Sequence, residues 1–170
     1  MDERRRLKKI NILGGSAQAI VEFAIALPIL LALVLGIFEV GRLLFIYSAV
    51  TNSSRNAVRF ASAVGLSDSG YYKYKHCAGI KDIAVKSAYL VPVSSLTINI
   101  SYDTGPGTSS FAVCDAVSGE DSDVVVNTGN RVKVTVAAQY KPMIKLIPIP
   151  ARTITSSSSR TILGIVDLGP

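Results

Sequence analysis

One histidine, His76, and two cysteines, Cys77 and Cys114, are all that 170 residues offer of the side chains most metal sites and acid–base centres require. Zinc sites built on several histidines and most histidine-dependent triads are therefore excluded. There is no glycine-rich phosphate loop ending in Gly-Lys-Ser/Thr and no dinucleotide-binding glycine fingerprint. No internal repeat recurs along the chain. The net charge of +6 is not a nucleic-acid footprint, because the basic residues after Tyr47 are scattered rather than gathered on one element.

The remaining chemical signals are weak. Cys77 beside His76 makes a poor nucleophile–base pair, since adjacent side chains rarely face each other. Asp115, Glu120, Asp121 and Asp123 have a spacing that matches no EF-hand, and they read as a solvated loop rather than a calcium site. Tyr71, Tyr72 and Tyr74 alternate with Lys73 and Lys75, but no second platform strand accompanies them, so a surface loop is the better reading. Asn52-Ser-Ser and Asn99-Ile-Ser fit the glycosylation tripeptide, which is common by chance. The expectation is a protein that is not an enzyme and uses no metal and no cofactor.

What the chain does have is one long apolar run. Between Glu22 and Glu39, residues Phe23 to Phe38 carry no charged or polar side chain. Ala19 to Phe38 gives twenty residues, the length a helix needs to cross about 30 Å of hydrocarbon. Five basic residues, Arg4, Arg5, Arg6, Lys8 and Lys9, precede the run, against Arg55 and Arg59 just after it. That asymmetry predicts a cytoplasmic N-terminus and an extracytoplasmic C-terminal part. The run is longer than a signal-peptide core, and the one Ala-x-Ala nearby, Ala61–Ala63, lies far beyond it, so removal as an ordinary signal peptide is rejected. In an exported domain Cys77 and Cys114 are expected to pair. The bridge would close a loop of about 37 residues and contribute ~3–4 kcal/mol on the chain-entropy account. Two buried free thiols are the alternative.

Beyond the membrane span a helical pattern continues. Tyr47, Val50, Ser54, Ala57, Val58, Ala61 and Val64 recur at spacings of three and four and form one face, with Gly65 as the stop. Pro28 inside the span removes a helical hydrogen bond and should bend or loosen the helix there. A second helix is predicted from Gly79 to Leu90, burying Ile80, Ile83, Ala84, Ser87, Ala88 and Val91, with Pro92 after it. The period then switches to two. Leu96–Tyr102, Phe111–Cys114, Arg131–Tyr140 and Arg152–Leu163 read as strands, whereas Lys141–Pro150 holds three prolines and reads as a crossing loop. The expected fold is α+β: a long N-terminal transmembrane helix continuing into a head, with one helix packed on an antiparallel sheet of about four strands. The expected divisions are a basic cytoplasmic leader, 1–17; a long helix, 18–65, membrane-spanning over about 19–47; and an exported head, 66–170.

The stretch from Gly15 through Gly65 resembles the N-terminal signature of TadE-like proteins, the pseudopilins or minor pilins of the tight-adherence (Flp, type IVc) pilus system. The matching residues are Val21-Glu22-Phe23-Ala24, Leu27-Pro28, Gly36-Ile37, Glu39, Gly41-Arg42, and Ala49-Val50-Thr51 through Arg55 and Arg59. The resemblance covers about fifty residues.

The resemblance implies that a prepilin peptidase removes the basic leader and leaves the apolar helix in place. Cutting between Ala17 and Gln18 makes Glu22 the fifth residue of the mature chain, where pilins carry their glutamate. Cutting between Gly15 and Ser16 would make it the seventh. Glu22 and the adjoining Phe23 then become assembly residues, with the new α-amine of one subunit neutralising a neighbour's Glu22 in a low dielectric. Glu39 and Arg42, three residues apart, either neutralise each other within one helix or pair between subunits. Implied partners are the prepilin peptidase, other pilin subunits through the N-terminal helix, an inner-membrane assembly platform and membrane lipid. The implied location is the inner membrane, or a surface pilus. An uncleaved, single-pass anchor carrying an extracytoplasmic binding or adhesion module is the competing reading.

Overall fold

The computed structural model describes residues 7–114, 125–143 and 150–164. The fold is α+β, with elements in the order α1 (Leu7–Ala61), α2 (Cys77–Ser87), β1 (Leu96–Asp103), β2 (Ala112–Val113), β3 (Arg131–Tyr140) and β4 (Arg152–Thr161). The chain divides into two compact units: Met1–Arg42 with Met143–Pro148, and Leu43–Pro142 with Ile149–Pro170.

The first unit holds the α1 residues up to Arg42. The helix starts at Leu7, eleven residues before the expected start at 18. Residues 7–17 contain no proline, and Gly14–Gly15 costs only about 1 kcal/mol per glycine, which a helix already nucleated next door can absorb. Pro28 lies inside the helix without ending it. The apolar side chains from Ile20 to Phe38 are exposed on every side, with Ile20, Ile29 and Phe38 at 67–69%.

The second unit is a two-layer head. Its sheet has the order β2-β1-β3-β4, antiparallel throughout. β3 is the central, strictly alternating strand: Val132, Val134, Val136, Ala138 and Tyr140 are all buried. Opposite residues in an antiparallel pair share a face. The register Ile98↔Val136, Ile100↔Val134 and Tyr102↔Val132 therefore puts the apolar sides of β1 and β3 together. On β4 the same face carries Ile154, Ser156, Ser158 and Arg160. The other face is polar, with Thr97, Asn99, Lys133, Thr135, Thr155 and Ser157; Thr135 and Ser157 join hydroxyls at 2.8 Å.

The Leu43–Ala61 part of α1 lies on the apolar face through small residues. Ala49, Val50, Ser53, Ser54, Ala57, Val58 and Ala61 are buried. Tyr47 and Val64, expected on that face, are exposed, at 58% and 47%. Tyr47 lies before the first buried turn, and Val64 follows the end of the helix. Ser62, which is not among the residues of the expected face, is buried where the last turn tightens: Ser62 N donates to Val58 O, and Ala63 N to Phe60 O. The helix therefore ends at Ala61, ahead of Gly65. That glycine adopts φ +102, a conformation L side chains rarely take.

α2 is shifted two to three residues toward the N-terminus relative to the expected Gly79–Leu90. It buries Cys77, Ile80 and Ala84, with Ala88 and Val91 buried just beyond it; Ile83 and Ser87 are half-buried. Leu90 takes φ +63 and cannot continue a helix. β2 is only two residues long, Phe111 and Cys114 flanking it. The acidic stretch 115–123, and residues 144–149 of the expected crossing loop, fall outside the described residues.

Candidate functional site

The candidate site is the N-terminal helix. Among the described residues α1 is the helix long and apolar enough to cross a membrane, over Ala17–Ala61. Leu, Ile, Val and Ala leave no polar side chain on any side of the turns between Phe23 and Phe38, so the helix has no apolar stripe against a polar one.

Gly15, Ala17 and Gln18, at the expected cleavage positions, are exposed on this helix. Gln18 Nε2 donates to Glu22 Oε1 at 3.2 Å, one helical turn on. Glu22 and Phe23 are both exposed, Phe23 at 64%. The described contact of the Glu22 carboxylate is thus with a neutral amide of its own helix.

Glu39 and Arg42 form the opposite case. Arg42 Nη2 donates to Glu39 Oε1 at 3.0 Å across three residues of one helix. Glu39 is buried, at 1% exposure, and Arg42 half-buried. Within the same unit Met143 N donates to the same carboxylate oxygen at 3.4 Å. Within this one chain the contact lies inside a single helix.

In the head, Cys77 at the start of α2 and Cys114 just after β2 are joined by a disulfide, with Cα atoms 5.7 Å apart. Both are buried. The buried Tyr102 hydroxyl donates to Tyr74 O and lies 3.1 Å from Cys114 Sγ. His76 caps the disulfide end of α2 by position rather than by chemistry. Its ring lies over Gly79, where a Cβ would come within 2.4 Å of Nδ1, and 5.9 Å from the Tyr71 ring. Only glycine fits beneath that imidazole.

Three features escaped sequence reasoning. Asp103 and Arg131 are cross-strand partners: Arg131 donates Nε to Oδ1 at 2.8 Å and Nη2 to Oδ2 at 2.9 Å. The Arg131 hydrogen bonds hold the Asp103 carboxyl below its ordinary value, against the opposing effect of burial, and Asp103 in turn raises Arg131. A hydroxyl network seats α1: Ser53 donates to Ala84 O at 2.6 Å, and Ser54 Oγ lies 3.1 and 3.0 Å from Ser156 Oγ and Ser158 Oγ. Finally, Arg55, Arg59 and Arg160 line one surface cavity. The serine run 156–159 was the one visible signal, since alternate serines on a strand facing a helix imply a close, polar approach.

No curated protein and no solved structure matches the chain. Residues 17–59, which hold Gln18, Glu22, Pro28, Glu39 and Arg42, match the family model described as TadE-like protein, the family the sequence itself resembles.

Proposed function

We propose that the chain is a pilin-like membrane subunit associated with the tight-adherence pilus, acting in assembly or priming of that pilus through side-by-side bundling of α1. The match to TadE-like proteins supports the pilus association. The observation that carries the assembly role is Glu22, an exposed carboxylate bordering an uncovered, charge-free helical surface. Bundling buries that surface against like helices, and a neighbour's α-amine supplies the missing cation.

In this reading a prepilin peptidase cuts between Ala17 and Gln18, on the cytoplasmic side. The head, closed by the Cys77–Cys114 bridge, stands outside the inner membrane. Partners are the peptidase, other pilin subunits and the assembly platform, with lipid around Ala19–Tyr47; the protein performs no catalysis of its own.

Two measurements test this. N-terminal sequencing of membrane-extracted protein should begin at Gln18; a start at Met1 would overturn processing and favour an uncleaved anchored binding module. Glu22→Ala should leave membrane insertion intact and abolish incorporation or pilus assembly. Normal assembly by that variant removes the role given to Glu22.

A further inference from the structure

Leu90 is the one non-glycine residue with a positive φ among the described residues, at +63. A bulky L residue is strained there, whereas glycine is not. Leu90 and Tyr89 are also 72–74% exposed, so the fold gains almost no burial from either, and Val93 is exposed beside them. Ala88 and Val91 are buried on either side of this pair; Val91 N donates to Ala88 O, and Ser95 N to Pro92 O. Three large apolar side chains are thus held out from a turn pinned at both ends. A strained and exposed leucine is explained by what it meets outside its own chain.

Contacts inside the head locate this turn. Ser54 meets Ser156 and Ser158, and further along both elements Arg59 and Ala63 share a hollow with Arg160 and Leu163. The head part of α1 and β4 therefore run in the same direction. Through β3, the register sets Leu96 level with Ala138 and Ile154. That rung lies about 10 Å before Ser157, which is roughly seven helical residues before Ser54. It is level with Tyr47, the last residue of the expected membrane span. On the helix side, Asn56 Nδ2 donates to Ser87 Oγ at 3.2 Å. From Ser87 to Leu96 the chain descends toward the end of the head that carries Leu43–Tyr47, and Tyr89, Leu90 and Val93 stand on that descent. Leu44, Phe45 and Tyr47 are exposed at that end too, as is Arg152 at the start of β4.

We propose that this turn dips into the lipid interface of the membrane that α1 crosses, giving the head a second point of rest on the bilayer. The contact rests on the reading above, that α1 spans the membrane with the head outside. Leu90 and Val93 enter the upper acyl region, Tyr89 joins Tyr47 at headgroup level, and Arg152 meets lipid phosphate. A single helix fixes depth but leaves the head free to turn about the helix axis. A second lipid contact away from that axis fixes the turn, and with it the side of the head that a neighbour meets.

The test uses full-length protein, its disulfide intact, in vesicles of phosphatidylcholine with a minor share of phosphatidylglycerol. Leu90→Cys, Asn99→Cys on the polar sheet face and Leu33→Cys in the span each carry an environment-sensitive maleimide dye. Nitroxide placed high on the lipid acyl chain should quench the Leu90 label several-fold more than the Asn99 label, and nitroxide placed midway should quench the Leu33 label. Equal quenching at Leu90 and Asn99 overturns the proposal. So does a Leu90 label that is shielded, unquenched and re-exposed when the protein is diluted in lipid, which assigns the turn to a second copy. In a chain labelled at Val93→Cys, adding Tyr89→Ser and Leu90→Gly should lower quenching several-fold. The melting temperature should stay equal or rise, since glycine relaxes the turn. A large fall in melting temperature would show Leu90 serving the fold, and overturns the proposal. If the Leu33 label also escapes quenching, the span reading falls as well; if Leu33 is quenched and Leu90 is not, this contact alone falls.

Discussion

Arg131 grips both carboxylate oxygens of Asp103 at the rung where β1 ends and β3 begins. Because the native carboxyl is held below its ordinary value, the pair stabilises the fold at pH values above about 4, the unfolded aspartate range. That contribution disappears as pH falls through the lowered native value. Arg131 stays charged throughout this window. The Asp103→Asn variant should therefore lose less thermal stability than the parent between about pH 5 and pH 3. Circular dichroism melts at the two pH values give the comparison, and equal losses would exclude this pair as a source of acid sensitivity.

Breaking the Cys77–Cys114 bridge frees a loop with a sequence separation of 37. The Cys77→Ser, Cys114→Ser double variant should lose about 3–4 kcal/mol. Denaturant titration of oxidised parent against the variant measures it, and reduction of the parent should reproduce the variant's midpoint.

Ser54 is seated between Ser156 and Ser158 where α1 approaches β4. Ser54→Val adds volume at a fully buried position and removes a shared hydroxyl, so a loss of about 1–3 kcal/mol is expected. Ser53→Ala is milder, at about 1 kcal/mol, because Ala84 O keeps its bond from Ala88 N. Equilibrium unfolding should rank Ser54→Val below Ser53→Ala.

Ile100 on β1 is buried opposite Val134 of β3. Ile100→Ala opens a cavity in the head core and should cost about 2–5 kcal/mol. On the polar face, Asn99→Ala should stay within about 0.5 kcal/mol. The same unfolding measurement separates the two faces of one strand.

Much of this architecture was legible because it depends on period. β3 was readable to the residue, since Val132 through Tyr140 alternate without interruption, and β1 was misplaced only by Asp103 at its end. The long helix was equally plain from its uncharged run, although its ends were not. Helix start depends on cooperative extension through Gly14–Gly15, and helix end on one tightened turn at Ser62, neither of which leaves a periodic trace. The motif from Val21 to Arg59 was legible as a family pattern, whereas the Asp103–Arg131 pair was not. It requires knowing that β1 and β3 are neighbours in a particular register. The convergence of Arg55, Arg59 and Arg160 is further removed still, because it depends on which face of α1 meets a strand about a hundred residues later.

The disulfide has a mechanical consequence. If the head is stretched between α1 and β3, the strain bypasses residues 78–113, because sulfur links Cys77 directly to Cys114. α2 beyond its first residue, and all of β1 and β2, lie inside that shortcut. Roughly 120 Å of chain, at 3.3–3.6 Å per residue, is withheld from extension. An oxidised head under traction can yield only by peeling its remaining strands, and should rupture at a shorter extension than a reduced one.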